Sequence, residues 1–528
     1  MAENSARRGN RLFIKKSVDQ IQREANTHAL KRTLGPVNLV FLGIGCIIGA
    51  GIYVMTGNAA ANFAGPGVML SFVIAGVACA LAGLCYAELS STMPVAGSAY
   101  TYSYTTLGEV FAWVMGWLLV LEYGVAAATV AAGWTGYATS LLKDVGIIIP
   151  PHLSTSFIQS VAQPDGSLQF VTSHSFNLVG AAGILLVTGL LVIGVSESAT
   201  VNNVIVLVKV GILLLFLGFG VFYINTANWH PFIPPNQGGF TYGLPGVFRA
   251  ASVIFFAYVG FEAVSTAAAE AKNPQRDIPV GILGSLVVCT LIYMAVAAVL
   301  TGVVPFKQLG VPEPIAVAVD AMHLPWFAKL IKIGAIAGLS SVMLILTYGQ
   351  TRVFFAMARD GLLPSVFARL HKKFRTPWIG TLLLGSAIAV AAGLLPITIL
   401  GDLVSLGTAT AFAIVCISVM YLRSQRPDLE RPFKVPGGGF WIGKAWIGVV
   451  PVLGILACGV LAYPLIADII IKATHGDAIP AILLCSYLAI GAVIYLSYGL
   501  WNSRLAKGLD ILEVGQGPVD AIAHGVEK

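Results

Sequence analysis

From residue 33 to residue 87 the chain carries no Lys, Arg, Asp, Glu or His. A run that long is not one buried helix, because a bilayer takes about 20 residues per helical span. It must cross a membrane at least twice, with the polar stretch 56–67 as the expected turn. Composition extends the point to the whole chain: 57% of its 528 residues are apolar and only 10% charged. A soluble domain carries charge on about a quarter of its residues. Lipid must cover what charge does not, and the chain reads as an all-α polytopic membrane protein.

Charge-poor windows of about 20 residues predict twelve spans, at 37–56, 67–91, 108–139, 177–196, 200–224, 245–268, 279–304, 325–357, 378–398, 401–422, 447–471 and 478–501. One transmembrane domain, 37–501, then lies between a segment 1–36 and a tail 502–528. The first segment lacks the apolar core and small-residue cleavage site of a signal peptide. Leu12, Phe13, Ile14, Val18 and Ile21 alternate there with Arg11, Lys15, Lys16 and Arg23. It is either an amphipathic stretch on the headgroups or a disordered basic tail.

Basic residues set the expected orientation. With the N-terminus inside, Lys143, Arg249, Lys307, Lys329, Lys332 and Lys472 fall outside and Lys209 falls within a span; the remaining Lys and Arg are cytosolic. Both termini are therefore expected in the cytosol of a cell-membrane protein. The net charge of +7 follows from these loops and needs no nucleic-acid partner. Only 140–176 and 423–444 look long enough to hold an element between spans, and neither is a catalytic domain. The seven cysteines fall within the spans without metal or disulfide spacing and read as packing residues. No His-rich cluster, nucleophile–base pair or phosphate-cradling loop appears, so no enzyme, metal or cofactor is expected.

Span one contains Gly43, Gly45, Gly49 and Gly51, each weakening a helix by about 1 kcal/mol relative to Ala. Alone, the Gly45-to-Gly49 spacing suits close helix packing. Span six then carries Phe255-Phe256-Ala257-Tyr258-Val259-Gly260-Phe261-Glu262, where a glycine and a carboxylate interrupt the apolar run. Matching interruptions in spans one and six are the pattern of an inverted five-plus-five repeat with a midplane site. Unwound backbone there offers N–H groups for a carboxylate and carbonyls for an ammonium. One zwitterion would satisfy both.

Gly45–Tyr53 resembles the first-helix motif of the amino acid–polyamine–organocation transporters. Further matches are Tyr86-Ala87-Glu88-Leu89-Ser90-Ser91, continuing to 94–100; Phe256 to Glu262 with 272–279; and Gly349-Gln350-Thr351-Arg352 continuing to Pro364. Together they resemble the cationic amino acid transporter branch over about residues 30–500, in its bacterial-type, proton-coupled form. The resemblance implies a LeuT-like fold of two inverted five-helix repeats plus two peripheral helices. It implies a substrate carboxylate at the N–H groups around Ile47, Gly49, Ala50 and Gly51, and an amino group at carbonyls of span one and of Phe256, Ala257 and Val259. Phe256 takes the place of the aromatic gate.

Three ionisable residues lie well inside spans, where a charge costs several kcal/mol unless paired or hydrated. Lys209 is about 13 Å deep at 1.5 Å per residue, too deep for snorkelling alone. The resemblance makes its ammonium a substitute for a sodium ion between spans one, five and eight, consistent with proton coupling. Glu122 matches a carboxylate near the pathway, with a structural partner role as the alternative. Glu262 stands where relatives often carry Asp, which leaves its reach open. Ala269-Glu270 has half of a common glutamate pair. Glu88 reads as a solvated or loop-binding charge, and Arg352, Arg359 and Asp360 as a cluster of open role. Met343 is a candidate floor for the side-chain pocket; Ser340 and Ser341 more often bond back to their own helix.

The leading expectation is a proton-coupled symporter importing L-amino acids by alternating access, working as a monomer. An exchanger or polyamine carrier of the same fold, and a non-transporting amino-acid sensor, remain open beside it. Preference between cationic and neutral side chains is not fixed by these residues.

Overall fold

The computed structural model describes residues 11–16, 34–93, 98–162, 168–194 and 199–508. Each expected span is helical over most of its length. Nine helical segments among the described residues are long and apolar enough to cross a membrane; Pro36–Ile47, Leu178–Ile193 and Trp378–Leu394 are apolar but shorter. The short Pro36–Ile47 is the first half of span one, cut by its break.

The expected turn at 56–67 is corrected. Helical structure continues through Thr56–Ala59 and Ala60–Ala64, and the chain turns only at Gly65–Gly67, where Gly65 has φ 57°. Thr56 does not break the helix because its hydroxyl donates to the Gly51 carbonyl (3.1 Å), which is how a buried Ser or Thr is satisfied inside a helix.

Spans seven and two pack along each other, and span seven (Pro274–Val303) also follows the first half of span one. Span eight (Pro325–Arg359) lies along span three, span nine along span four, and span eleven (Val449–Thr474) along span ten (Ile397–Gln425). Besides the two stretches expected to hold extra elements, two α-helices lie between spans among the described residues, Ser98–Thr106 and Pro314–Ala321. The expected stretches form antiparallel hairpins, Ile158–Ala162 with Leu168–Thr172 and Gly439–Ile442 with Ala445–Gly448.

The described part of the N-terminal segment is tied to the bundle at Ile14 and Lys16, while Leu12 and Phe13 are exposed. Ile14 accepts from Glu109 N–H (3.0 Å), and buried Lys16 pairs with Asp360 at 2.8 Å. Val18, Ile21 and Arg23 lie outside the described residues, as do residues 94–97 of the second motif and 509–528 of the tail. Ser503 and Arg504 continue the protein beyond the expected boundary, Arg504 N–H reaching the Asp360 carbonyl (3.1 Å). The end of the bundle that holds Lys16, Asp360 and Arg504 is the terminus end; the opposite one is the far end.

Candidate functional site

The first helix of span one stops at Ile47, and Ile48 turns extended (φ −71°, ψ 98°). Helical structure resumes at Ala50 and Gly51–Met55. The N–H groups of Gly49, Ala50 and Gly51 thus head a new helix, where the first donors have no acceptor within the helix and the dipole is positive. Ile47 differs from expectation: as a helical residue its N–H belongs to the ladder of the first half.

Span six breaks in the same way. Gly243–Ile254 tightens into a 3-10 turn, Phe255–Tyr258, before Val259 (ψ 132°) and Gly260 (φ 117°). Only glycine adopts that φ without strain. A Cβ on Gly260 would also lie 2.7 Å from the Cys46 carbonyl carbon, and one on Gly51 would lie 2.2 Å from Ala257 Cα. The two breaks therefore touch, backbone to backbone, at a glycine from each side.

A residue that the sequence reading missed joins them. The buried Tyr293 hydroxyl of span seven lies 2.8 Å from the Ile47 carbonyl and 3.1 Å from the Ala257 carbonyl. The Phe256 carbonyl accepts from Val259 N–H (3.0 Å). Two of the three span-six carbonyls expected for an amine are thus already engaged within the protein. Phe256 itself is 5% exposed.

Glu262 does not project freely either: its Oε2 accepts the Gly260 N–H at 2.8 Å, so the carboxylate folds over the break that carries it. Its carboxyl group adjoins those of Glu122 and the Tyr123 hydroxyl. Neither Glu122 oxygen, nor Glu262 Oε1, has a hydrogen bond of ordinary geometry. Glu122 sits in a π-helical stretch of span three, Val120–Val125, a departure often found at functional sites.

Lys209 is buried, and its ammonium donates to the Gly45 carbonyl (3.1 Å) in span one. Its stem passes Gly338 of span eight, where a Cβ would lie 3.2 Å from Lys209 Cγ. Spans one, five and eight thus converge on it. Tyr53, just past the first break, donates to the Lys209 carbonyl (3.4 Å), and Tyr137 of span three donates to the Tyr53 carbonyl (2.6 Å).

On span eight it is Val342 that meets the break, 3.1 Å from where a Gly49 Cβ would stand. Met343 is turned toward span four, meeting Trp134 over Gly183. Ser340 bonds back to the Ile336 carbonyl (2.8 Å) and accepts from the Trp134 indole (3.0 Å). Ser341 is buried with an unpartnered hydroxyl. Trp134, unnoticed in the sequence, therefore stands with Met343 over Gly183 of span four.

At the terminus end, Glu88 binds a loop: Arg423 pairs with both of its oxygens and Val435 N–H donates to Oε2 (2.7 Å). The grouping of Arg352 and Arg359 with Asp360 is corrected. Asp360 binds Lys16 and the Tyr100 hydroxyl (2.7 Å), whereas the two arginines lie over the rings of Tyr348 and Phe355.

Two abutting helix breaks inside an apolar bundle are the pattern of a secondary transporter, in which non-helical backbone at membrane depth is buried in protein or lines a cavity. The profile of the amino acid permease family matches residues 34–493. The branched-chain amino acid permease BcaP of Bacillus subtilis is 42% identical over 94% of this chain and 99% of its own. The methylthioribose transporter of the same bacterium is 41% identical over the same shares. The vacuolar cationic amino acid transporter 2 of Arabidopsis thaliana is 36% identical over 80% of this chain and 64% of its own. The chain belongs to the amino acid permease family, with its LeuT-like fold, and is a multi-pass membrane transporter rather than an enzyme.

Proposed function

We propose that the protein imports neutral L-amino acids by proton-coupled alternating access across a cell membrane, as a monomer with both termini in the cytosol. One observation carries the reading: the two breaks touch, Gly51 against Ala257 and Gly260 against Cys46, which would set free N–H groups of one helix beside freed carbonyls of the other. The substrate carboxylate would meet Gly49, Ala50 and Gly51, and its ammonium the Val259 carbonyl, with Tyr293 holding the Ile47 and Ala257 carbonyls at the spacing the site needs. Phe256 would close over the pair. The apolar Val342, which meets the first break, favours an uncharged side chain, as do the relatives named branched-chain permeases.

Lys209 would take the place of a coupling cation, and the Glu122–Glu262 pair would carry the proton. A carboxyl pair with unpartnered oxygens suits a shared proton, since two adjacent carboxylates do not both ionise readily. The test is uptake into liposomes with and without an inward proton gradient. Stimulation by the gradient that disappears in Lys209→Ala supports this coupling; uptake indifferent to both ends it.

A second reading has a specific basis. The Phe256 and Ala257 carbonyls are already bonded, which suits a substrate without an ammonium, such as the thioether sugar named for one relative. A thermal-shift panel of amino acids plus methylthioribose separates the two, since a ligand stabilises by RT ln(1 + [L]/Kd).

A further inference from the structure

Arg249 belongs to the far-end half of span six, about three turns before the break at Val259, and is 1% exposed. Its guanidinium forks onto Asp402 of span ten (3.0 and 2.7 Å) and reaches Asp468 of span eleven (3.0 Å). Lys472 of span eleven completes the group at 2.9 Å from Asp468. Two cations and two carboxylates balance, so the hub is neutral and needs no counter-ion.

The hub also reaches span one, because the Arg249 guanidinium lies over the Phe63 ring at 4.8 Å. The far-end halves of spans one and six are joined to each other. Tyr242 donates its N–H to Phe63 (2.9 Å) and its hydroxyl to the Ala61 carbonyl (2.6 Å). Arg249 is therefore where one body, made of both broken helices beyond their breaks, is tied to spans ten and eleven.

Three polar atoms there lack partners: Arg249 Nε, Asn58 Oδ1 and Thr398 Oγ1. Their residues are at least nine-tenths buried, and with Asp402 they line one small cavity of about 10 Å³. That is about the space one water molecule needs, given polar partners. The Arg249 N–H is a donor, the Asn58 oxygen an acceptor, and the Thr398 hydroxyl either. One water would satisfy all three.

We propose that this cavity is a binding site for a single water, and that the water-completed Arg249 hub latches the far-end entrance by holding the broken helices against spans ten and eleven. The proposal rests on the alternating-access reading and gives span eleven, one of the two helices outside the repeats, a part in it.

The test is labelling of Val253→Cys, which lines the cavity, by a membrane-impermeant maleimide added from the far side, in a Cys485→Ser background. The full-length protein reconstituted in liposomes should label slowly. Arg249→Lys keeps the charge but loses the fork and Nε, and should label at least about tenfold faster, the weight of one charge-assisted hydrogen bond. Asp468→Asn, which cuts only the span-eleven arm, should give a smaller rise of the same sign.

Thr398→Val reads the water separately. In a dry cavity, replacing an unpartnered hydroxyl by a methyl is neutral or tightening, so unchanged or slower labelling overturns the water site. With water bound, labelling rises. Labelling of Arg249→Lys or Asp468→Asn at the parent rate, or a parent that already labels as fast as they do, overturns the latch. Should Arg249→Lys not fold, Asp468→Asn carries the same judgement with the fork intact. Loss of ligand stabilisation in the parent protein would count against the amino-acid reading alone and leave the labelling ratios to judge the latch.

Discussion

Removing one oxygen, in Tyr293→Phe, tests whether the two breaks act as a single site. The hydroxyl stands between the Ile47 and Ala257 carbonyls, at 2.8 and 3.1 Å, and its one proton is shared between two acceptors. Phenylalanine keeps the ring and its packing against Phe72 and Tyr258. It leaves two buried carbonyls, one from each break, facing each other without a donor. An unsatisfied buried acceptor costs about 1–3 kcal/mol, and no bulk water is at hand to lower that. If the hydroxyl sets the spacing at which substrate binds, a comparable share of that energy comes out of binding. The Kd should rise about tenfold to a hundredfold, since each factor of ten is about 1.4 kcal/mol.

Tyr258→Phe is the control. Its hydroxyl belongs to the same aromatic group but bonds to the Phe72 carbonyl (2.8 Å) and Thr290 (3.0 Å), away from the breaks. It should lower the melting temperature by a similar amount and leave Kd within about twofold. The assay is calorimetric titration of purified protein with the best ligand of the thermal-shift panel. A Tyr293→Phe protein that binds within about twofold of the parent would show that Tyr293 is packing and that the breaks hold their spacing without it.

Three other substitutions probe different parts of the same argument. Gly51→Ala places a methyl 2.2 Å from Ala257 Cα, against backbone that has nowhere to move; binding in the thermal-shift assay should be lost even where folded protein is recovered. Glu88→Gln leaves the half-buried Arg423 and the buried Arg431 without their carboxylate; removing one partner of a buried pair costs about 3–5 kcal/mol, read as a fall in melting temperature, and an unchanged melt would mean that the loop holds itself. Burial raises the Glu313 carboxyl above its ordinary 4.5, with Lys332 opposing, so the folded protein binds more protons than the unfolded chain and stability falls as pH rises from about 4.5 through the folded value. Glu313→Gln should flatten that part of the melting-temperature profile, and a slope equal to the parent's would refute the assignment.

The breaks were legible because glycine carries backbone information directly: Gly49, Gly51 and Gly260 are where side chains do not fit or φ turns positive. Lys209 was legible because a charge at that depth must have a reason. Tyr293 was not, since a tyrosine in mid-span reads as packing until the acceptor of its hydroxyl is known. The turn after span one was misplaced because Thr56 and Asn58 look like solvent-seeking residues, yet Thr56 is satisfied by its own helix. Ile47 was one residue too early, as boundaries read from pattern commonly are. The Arg249 hub was hidden for another reason. Asp402 and Asp468 stand near span ends, where a charge is unremarked, and only the packing of spans six, ten and eleven brings them together.

The ion pairs divide between the two ends in a way that bears on how such a carrier opens. At the terminus end, Lys16 and Tyr100 hold Asp360 of span eight, and Glu88 ties span two to span ten through Arg423. At the far end, Arg249 ties span six to spans ten and eleven, and Lys332 of span eight holds Asp144 (2.7 Å) and Asp320 (2.9 Å). No residue is shared between the two sets, so either can be broken while the other stays whole, which one-end-at-a-time opening demands. Breaking a buried pair in place costs several kcal/mol because the ions lose each other without regaining water. Where the opening itself admits water, the freed ions are rehydrated and most of that cost disappears. In the alternating access proposed above, the end that water reaches would therefore be cheap to keep open, and the opposite end would stay shut through its buried member, Arg249 at the far end or Glu88 at the terminus end.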